Sequence, residues 1–301
     1  MYSSLLVEAG RTLSYVETVA PSKSDSFHRQ IKQVYEEDLQ EAFEEIVRWA
    51  VAHLEIKKVS LAVDCKRDPY WGKKSRDIVR GEHENGTNKA FEWVVISIIS
   101  PISIPLMALP LFKSSERAEK TMQVLEFALR LPIKIEKCYF DRGFFISRLL
   151  GFLENKKIPY LMLAPSGKAL KRYASKTKRF AWFYHTVKKK HWDKAKTTIL
   201  VVKRKERKKI KPFYYATNLK PTLQLHFDYK KRWQIETDFR VIGEAKIKSK
   251  SNVHIIRYFY FLVQLVLLVD WTTTKQVKGP ILFKRFLQTL INKRILYQSV
   301  T

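Results

Sequence analysis

Between residues 24 and 55 apolar residues recur at mixed three- and four-residue spacing, from Ile31, Val34 and Tyr35 to Ile46, Val47 and Ala50. This spacing predicts one helix over 24–55. Its other side carries Glu36, Glu37, Asp38, Glu41, Glu44 and Glu45, an acidic solvated face. Residues 1–22 show no such period. The pattern then changes to short apolar runs: Val59–Asp64, Val94–Ile99, Ile102–Leu111, Ile133–Phe140 and Ile158–Ala164. These predict strands. A polar connection, Gly72 to Lys89, follows the first of them, and a turn near Ser100-Pro101 joins the second and third. Helices are predicted over Ser114–Leu131, with Ser114 or Ser115 as cap and an Ala118, Met122, Leu125, Leu129 stripe, and over Phe144–Asn155. The order is three strands, helix, strand, helix, strand. Three more strands are predicted at Arg179–Val187, Thr197–Lys203 and Lys211–Thr217. Helices close the chain at Phe227–Lys248, His254–Trp271 and Ile281–Leu296. No internal repeat is visible.

Two apolar runs are long enough to raise a membrane reading. Trp93–Phe112 carries no charge but holds Pro101, Pro105 and Pro110, which would break a spanning helix. In the second, Ile255–Trp271, the uncharged part is only Tyr258–Val269, short of the ~20 residues a span needs. Neither is expected to span. The N-terminus lacks a basic region before its apolar residues and is interrupted by Glu8 and Glu17, so no signal peptide is expected.

Composition sharpens the picture. The 301 residues are 46% apolar and 29% charged, a globular balance. Two Cys exclude a disulfide scaffold and a Cys-rich zinc module, and they fit a reducing compartment. The net charge of +28 is concentrated: residues 166–220 hold 19 Lys and Arg against 2 Asp and Glu. Such a stretch repels itself unless a polyanion neutralises it, which implies nucleic-acid contact.

Asp64 and Asp141 stand at the ends of apolar strands expected to be neighbours, where active sites of open α/β sheets collect. Either alone could be a cap or turn former. A third carboxylate comes from the helix Tyr229-Lys-Lys-Arg232-Trp-Gln-Ile-Glu236. Tyr229, Arg232 and Glu236 fall within a sector of about 60° at ~100° per residue. Taken alone, Arg232 and Glu236 would be a weak surface pair.

The ordered set of two strand-end Asp residues followed by Tyr-x2-Arg-x3-Glu resembles the DDE transposases of insertion sequences. Within them it is most similar to the group with a Tyr-Arg-Glu-Lys signature. Phe140-Asp-Arg-Gly-Phe144 and Phe213-Tyr-Tyr-Ala-Thr-Asn218 share in the likeness, which covers roughly residues 59–271. It implies an RNase H-like mixed sheet flanked by helices, with a β-rich basic insertion and a short helical N-terminal segment. The corresponding division is 1–58, a first core part at 59–165, the insertion at 166–215, and a second core part with C-terminal helices at 216–301. Asp64, Asp141 and Glu236 would be the metal-binding, catalytic triad, holding two Mg²⁺ ions that Mn²⁺ can replace. Oxygen ligands suit such hard cations, and two of them can activate a nucleophile and stabilise a leaving oxygen. Tyr229 and Arg232 would contact DNA phosphates. The signature Lys falls at Gly243. Arg240, about 40° round the helix from Glu236, and Lys246 could substitute; Lys248 lies farther round. The implied partners are double-stranded DNA (terminal repeats and target) and a second copy of the chain in a synaptic complex, with no membrane. The implied setting is prokaryotic cytoplasm, near the nucleoid. Cleavage at transposon ends with strand transfer is the leading reading. A metal nuclease without strand transfer stays open, as does a decayed DNA-binding relic, which Gly243 and the short N-terminal part favour.

Other features weigh less. Asp68 is a rival first ligand but is expected in a turn beside Pro69. Cys65 and Cys138, at odd offsets from the aspartates, should point into the core on the opposite sheet face. His83 between Glu82 and Glu84 is expected in a polar loop and not at a metal. Gly81-x4-Gly86 lacks the Lys-Ser/Thr of a phosphate loop. Trp182, Tyr184 and Trp192 could stack on bases or fill the core of the basic stretch; we read them as core.

Overall fold

The computed structural model describes residues 24–298, apart from 74, 85, 191–192, 207–208 and 248. Residues 1–22, Trp192 and Lys248, to which the sequence assigned readings, lie outside the described set. The predicted first helix is two: α1 (Ser24–Ile31) and α2 (Glu36–His53). The break falls where the Tyr35 backbone N–H donates to the Asp38 carboxylate (3.3 Å) and Glu36, Glu37 and Asp38 crowd the new N-terminus. Acidic side chains there complement the helix dipole and favour a fresh start.

The strands are β1 (Lys58–Pro69), β2 (Val79–Glu84), β3 (Thr87–Ser100), β4 (Ile104–Leu111), β5 (Lys134–Phe140), β6 (Tyr160–Leu163), β7 (Phe180–Lys190), β8 (Asp193–Glu206) and β9 (Lys209–Thr217). They form one sheet in the order β2-β3-β1-β5-β6-β9-β8-β7, with β4 also paired to β3 on the side away from β1. β1, β5 and β6 run parallel, and the other pairings are antiparallel. The three strands of the basic stretch therefore extend the central sheet through β9 and β6.

Alternation along β1 and β5 separates two cores. Leu61, Val63, Cys138 and Phe140 face one side, where they join α3 (Arg117–Leu129), α4 (Ser147–Asn155), α2 and α8 (His254–Lys278). Cys138 is in that core and Cys65 packs at its margin, as their offsets predicted. Ala62, Tyr139, Leu161, Leu200 and Tyr215 face the other side, against Leu225, Tyr229 and Ile235 of the helical run 224–245. That run comprises α6 (Gln224–Asp228), a 3-10 turn (Tyr229–Arg232), α7 (Trp233–Val241) and a second 3-10 turn (Ile242–Ala245). A smaller core joins α1, α8 and α9 (Phe283–Gln298) through Ile31, Ile256, Tyr260 and Phe286. α8 is long and apolar enough to cross a membrane by length and composition, yet 56% of its apolar window is packed inside this fold.

Several elements differ from the sequence reading. α3 starts with a 3-10 turn (Ser114–Glu116), and neither serine side chain caps it. Its buried side is Ala118, Thr121, Val124, Leu125 and Ala128, so Leu129 is exposed. β1 runs on past Asp64 to Pro69, paired with β3, so Asp68 is in a strand and not in a turn. The polar connection contains β2, which includes His83. A short helix, α5 (Lys168–Ser175), precedes β7 and buries Leu170 and Ala174.

Candidate active site

Parallel pairing of β1 with β5 ends at Val63 opposite Phe140, so Asp64 and Asp141 emerge side by side from the same row. The Asp64 backbone is also fixed from its other side, opposite Val95 of β3. Asp64 Oδ1 accepts the Cys65 backbone N–H (2.8 Å). Asp141 precedes a 3-10 turn (Arg142–Phe144), but its carboxylate does not cap that turn. The carboxylate is thus not committed to local structure.

The helical run 224–245 lies over this row. Arg232, only 7% exposed, donates from Nη1 to Asp64 Oδ2 (3.1 Å) and from Nη2 to Glu236 Oε1. The Arg232 guanidinium, 168 positions from Asp64, thus joins that strand residue to Glu236 of the helix. Its Nε is buried without a hydrogen-bond partner. Burial pushes the Asp64 carboxyl up to about 6, helped by the charges of Asp141 and Glu236 and opposed by Arg232 and the Cys65 N–H. Arg232 itself is disfavoured by burial, but Tyr229, Asp64, Asp141 and Glu236 together hold it above its usual value. The site is a cluster of like charges held together by one cation, an arrangement that concentrates at functional sites.

The oxygen-only donor set suits a hard divalent cation. Among the described residues no three His, Cys, Asp or Glu side chains lie close enough together to enclose a metal, and the Arg232 guanidinium fills the space between Asp64 and Glu236. The donors fit the ion chemically, and a bound ion would compete with the guanidinium for them.

The residues expected on DNA are distributed differently. Tyr229 is buried, and its hydroxyl donates to the Phe140 carbonyl (3.0 Å), next to Asp141. Tyr229 and Arg232 therefore face the sheet and each other's neighbours, not solvent. Arg240 is exposed. Lys246 Nζ donates to Asp68 Oδ1 (2.6 Å), and Arg257 Nη1 to Asp68 Oδ2 (2.9 Å). Two cations hold Asp68 within the continued strand. Gly243 is exposed; a Cβ there meets nothing within 4 Å, and its φ is not left-handed.

Sequence reasoning missed Asp238. It is 5% exposed and accepts from Ser103 Oγ and from Gln234 Nε2 (3.1 Å), while Thr272 donates to the Ser103 carbonyl (3.1 Å). This chain pins α7, and with it Glu236, to the β3–β4 turn and to α8. Burial pushes its carboxyl up to about 6, against the Ser103 and Gln234 bonds and Lys275. Its signal was present: a second carboxylate two residues from Glu236 cannot share its face of the helix. Trp182 and Tyr184, read as core, are 45% and 79% exposed. They meet edge-to-face on β7 at 5.3 Å. The buried side of that strand is Phe183, stacked on Tyr173 at 4.4 Å. In register, Trp182 lies opposite Leu200, so both exposed rings are on the sheet face of Asp64.

A mixed sheet with helices on both faces, and with acidic residues where the pairing of its central parallel strands ends beneath a crossing helix, is the RNase H-like arrangement. Residues 80–252 match the family model described as "Transposase DDE domain", over half of the chain, and the chain belongs to that family. The matched span contains Asp141 and Glu236 and begins after Asp64. Among solved structures, it is similar to a piggyBac transposase in a synaptic complex with hairpin DNA. The TM-score is 0.63 and the identity 12%, over 96% of this chain and 69% of that one. At that identity the likeness is one of fold. Ciona intestinalis Endonuclease V, in complex with DNA containing an inosine followed by a ribo-adenosine, aligns at a TM-score of only 0.27. Its identity is 12%, over 78% of this chain and 98% of that one, and the overlap is too slight to carry weight. No curated protein matches the chain.

Proposed function

We propose that this transposase cuts DNA at transposon ends and joins those ends to target DNA, with Asp64, Asp141 and Glu236 as its catalytic carboxylates. The observation that carries the reading is the Arg232 bridge between Asp64 and Glu236, with Asp141 in the adjoining strand position. Asp64 and Asp141 line one cleft, and the charges of Asp141 and Glu236 both act on Asp64. They would hold Mg²⁺ or Mn²⁺, which when bound supplies an activated water or 3′-hydroxyl and neutralises the leaving oxygen. The chain's own contribution is orientation and charge. Tyr229 fixes the 3-10 turn against the end of β5, Asp238 fixes α7, and Arg232 balances the carboxylates.

Affinity for double-stranded DNA would come from elsewhere. The face of β7–β9 that carries Trp182 and Tyr184 also presents Lys188, Lys194 and Lys196 by strand alternation. These would contact phosphates without reading sequence. In this reading residues 166–215 are a DNA-binding extension of the core, and two copies of the chain pair two DNA ends. Gly243 at the signature Lys position favours one rival, a decayed protein that binds DNA without cutting it. The test is cleavage and joining of DNA carrying the inverted repeats that flank the gene, in Mg²⁺ or Mn²⁺. Joined product supports the proposal, cutting without joining supports a nuclease, and binding alone supports the relic. In that last case Gly243→Lys should restore activity, since the position has room for the side chain.

A further inference from the structure

The acidic site has an electrostatic difficulty: three carboxylates repel the phosphate they must act on. The cleft beside Asp64 and Asp141, a cavity of about 370 Å³, is also lined by Arg67, Arg80 and Arg117. Glu92 of β3, buried at 5% exposure, pairs with Arg117 Nη2 (3.2 Å) and Arg67 Nε (3.9 Å). Arg117 Nη1 also reaches the Gly143 carbonyl (3.4 Å), two residues beyond Asp141. We propose that Arg67, Arg80 and Arg117 form a phosphodiester-binding subsite that seats the DNA backbone next to the reacting phosphate.

A buried Arg–Glu–Arg bridge could exist for structure alone. Four features point beyond that. Two guanidiniums, of Arg67 and Arg117, share the one Glu92 carboxylate, so the bridge itself keeps one positive charge. Arg80 is exposed and outside the bridge. The Nε of Arg117 is buried without a hydrogen-bond partner. The backbone also makes room for the two bridged arginines. A Cβ at Gly81 would lie 2.9 Å from Arg67 Nη2, and one at Gly143 would lie 2.8 Å from Arg117 Nη1. The guanidinium fork fits phosphate oxygens and holds its charge at any working pH. Placed against Asp64 and Asp141, it offsets the repulsion felt by an incoming strand.

The inference rests on the transposase reading, but its test does not need activity. Binding of a fluorescein-labelled DNA duplex is measured by anisotropy against salt, without divalent metal. Each lost phosphate contact reduces the log–log slope by about 0.9. Arg80→Ala should reduce the slope by about that amount. So should the double variant Glu92→Gln/Arg117→Gln, which removes the buried pair together. Lys134→Ala, an equal charge loss at the opposite end of β5 from Asp141, should leave the slope unchanged. An unchanged slope for Arg80→Ala overturns the subsite, as does an equal fall for Lys134→Ala. Arg80 is exposed, so that variant decides the matter even if the double variant fails to fold. Wild type that binds but never cuts would defeat the transposase reading while the slopes still judge the subsite. Wild type that cuts, with unchanged slopes, would defeat the subsite alone.

Discussion

Replacing Arg232 by Met would remove the one cation that joins Asp64 to Glu236 and leave the apolar stem largely in place. Arg232 and Asp64 side chains are 8% and 20% exposed, whereas Glu236 is 38% exposed. Breaking a buried pair by deleting one partner costs roughly 3–5 kcal/mol. The exposure of Glu236 discounts its share, so a loss of about 3 kcal/mol is expected without divalent metal. For a chain of this size that is a fall in Tm of roughly 5 °C. The assay is thermal unfolding in EDTA and again in Mg²⁺. With the guanidinium gone, the carboxylates gain more from the cation. Mg²⁺ should therefore raise the Tm of Arg232→Met more than that of wild type. Adding Asp64→Asn to Arg232→Met should cost less than the sum of the two changes, because the residues share one interaction. An unchanged Tm in EDTA, or strict additivity of the two variants, would refute the bridge as the element that holds the site together.

Other outcomes follow from the same structure. Asp238, with its carboxyl raised to about 6, favours folding most fully below its usual value near 3.8. That contribution, about 3 kcal/mol, is lost as pH rises through 6; Asp238→Asn should flatten the stability curve between pH 4 and 6 in chemical unfolding. Tyr229→Phe deletes the hydrogen bond to the Phe140 carbonyl and should cost about 0.5–1.5 kcal/mol, with little change in DNA affinity because the phenol faces inward; a large loss of affinity at unchanged stability would show that it reaches DNA. Neutralising Lys188, Lys194 and Lys196 together as Gln should reduce the salt slope of DNA binding by about 2.7. Trp182→Ala should leave Tm nearly unchanged, since the ring is exposed.

The elements that were legible in the sequence are those whose signal is local. Apolar runs such as Val59–Val63 and Val94–Ile99 could hardly be anything but buried strands. His254 was placed as the first residue of its helix because the apolar period starts there. Asp141 was recognisable because its strand ends at once. What the sequence hid depended on distant partners. Lys66, Arg67 and Asp68 look like loop until Glu92 and Arg257 are set beside them, and only then is it plain that β1 continues. The basic stretch showed its strands but not their neighbour, since pairing of β9 with β6 joins residues more than fifty positions apart. Trp182 and Tyr184 were misread because alternation gives two faces without saying which one is covered. The helical stripe grouped Tyr229, Arg232 and Glu236 correctly. It could not tell that Tyr229 would turn its hydroxyl to Phe140, or that Arg232 would reach a carboxylate 168 residues back.

The central claim is that Asp64, Asp141 and Glu236 form one divalent-cation site. Mn²⁺ titration followed by electron paramagnetic resonance tests it without any knowledge of the DNA ends. Asp64→Asn, Asp141→Asn and Glu236→Gln should each weaken binding by at least the roughly tenfold that loss of even an outer partner causes at metal sites. Asp68→Asn, at a carboxylate held by Lys246 and Arg257, should bind like wild type. Equal affinity across wild type and the three site variants, or a loss confined to Asp68→Asn, would contradict the account.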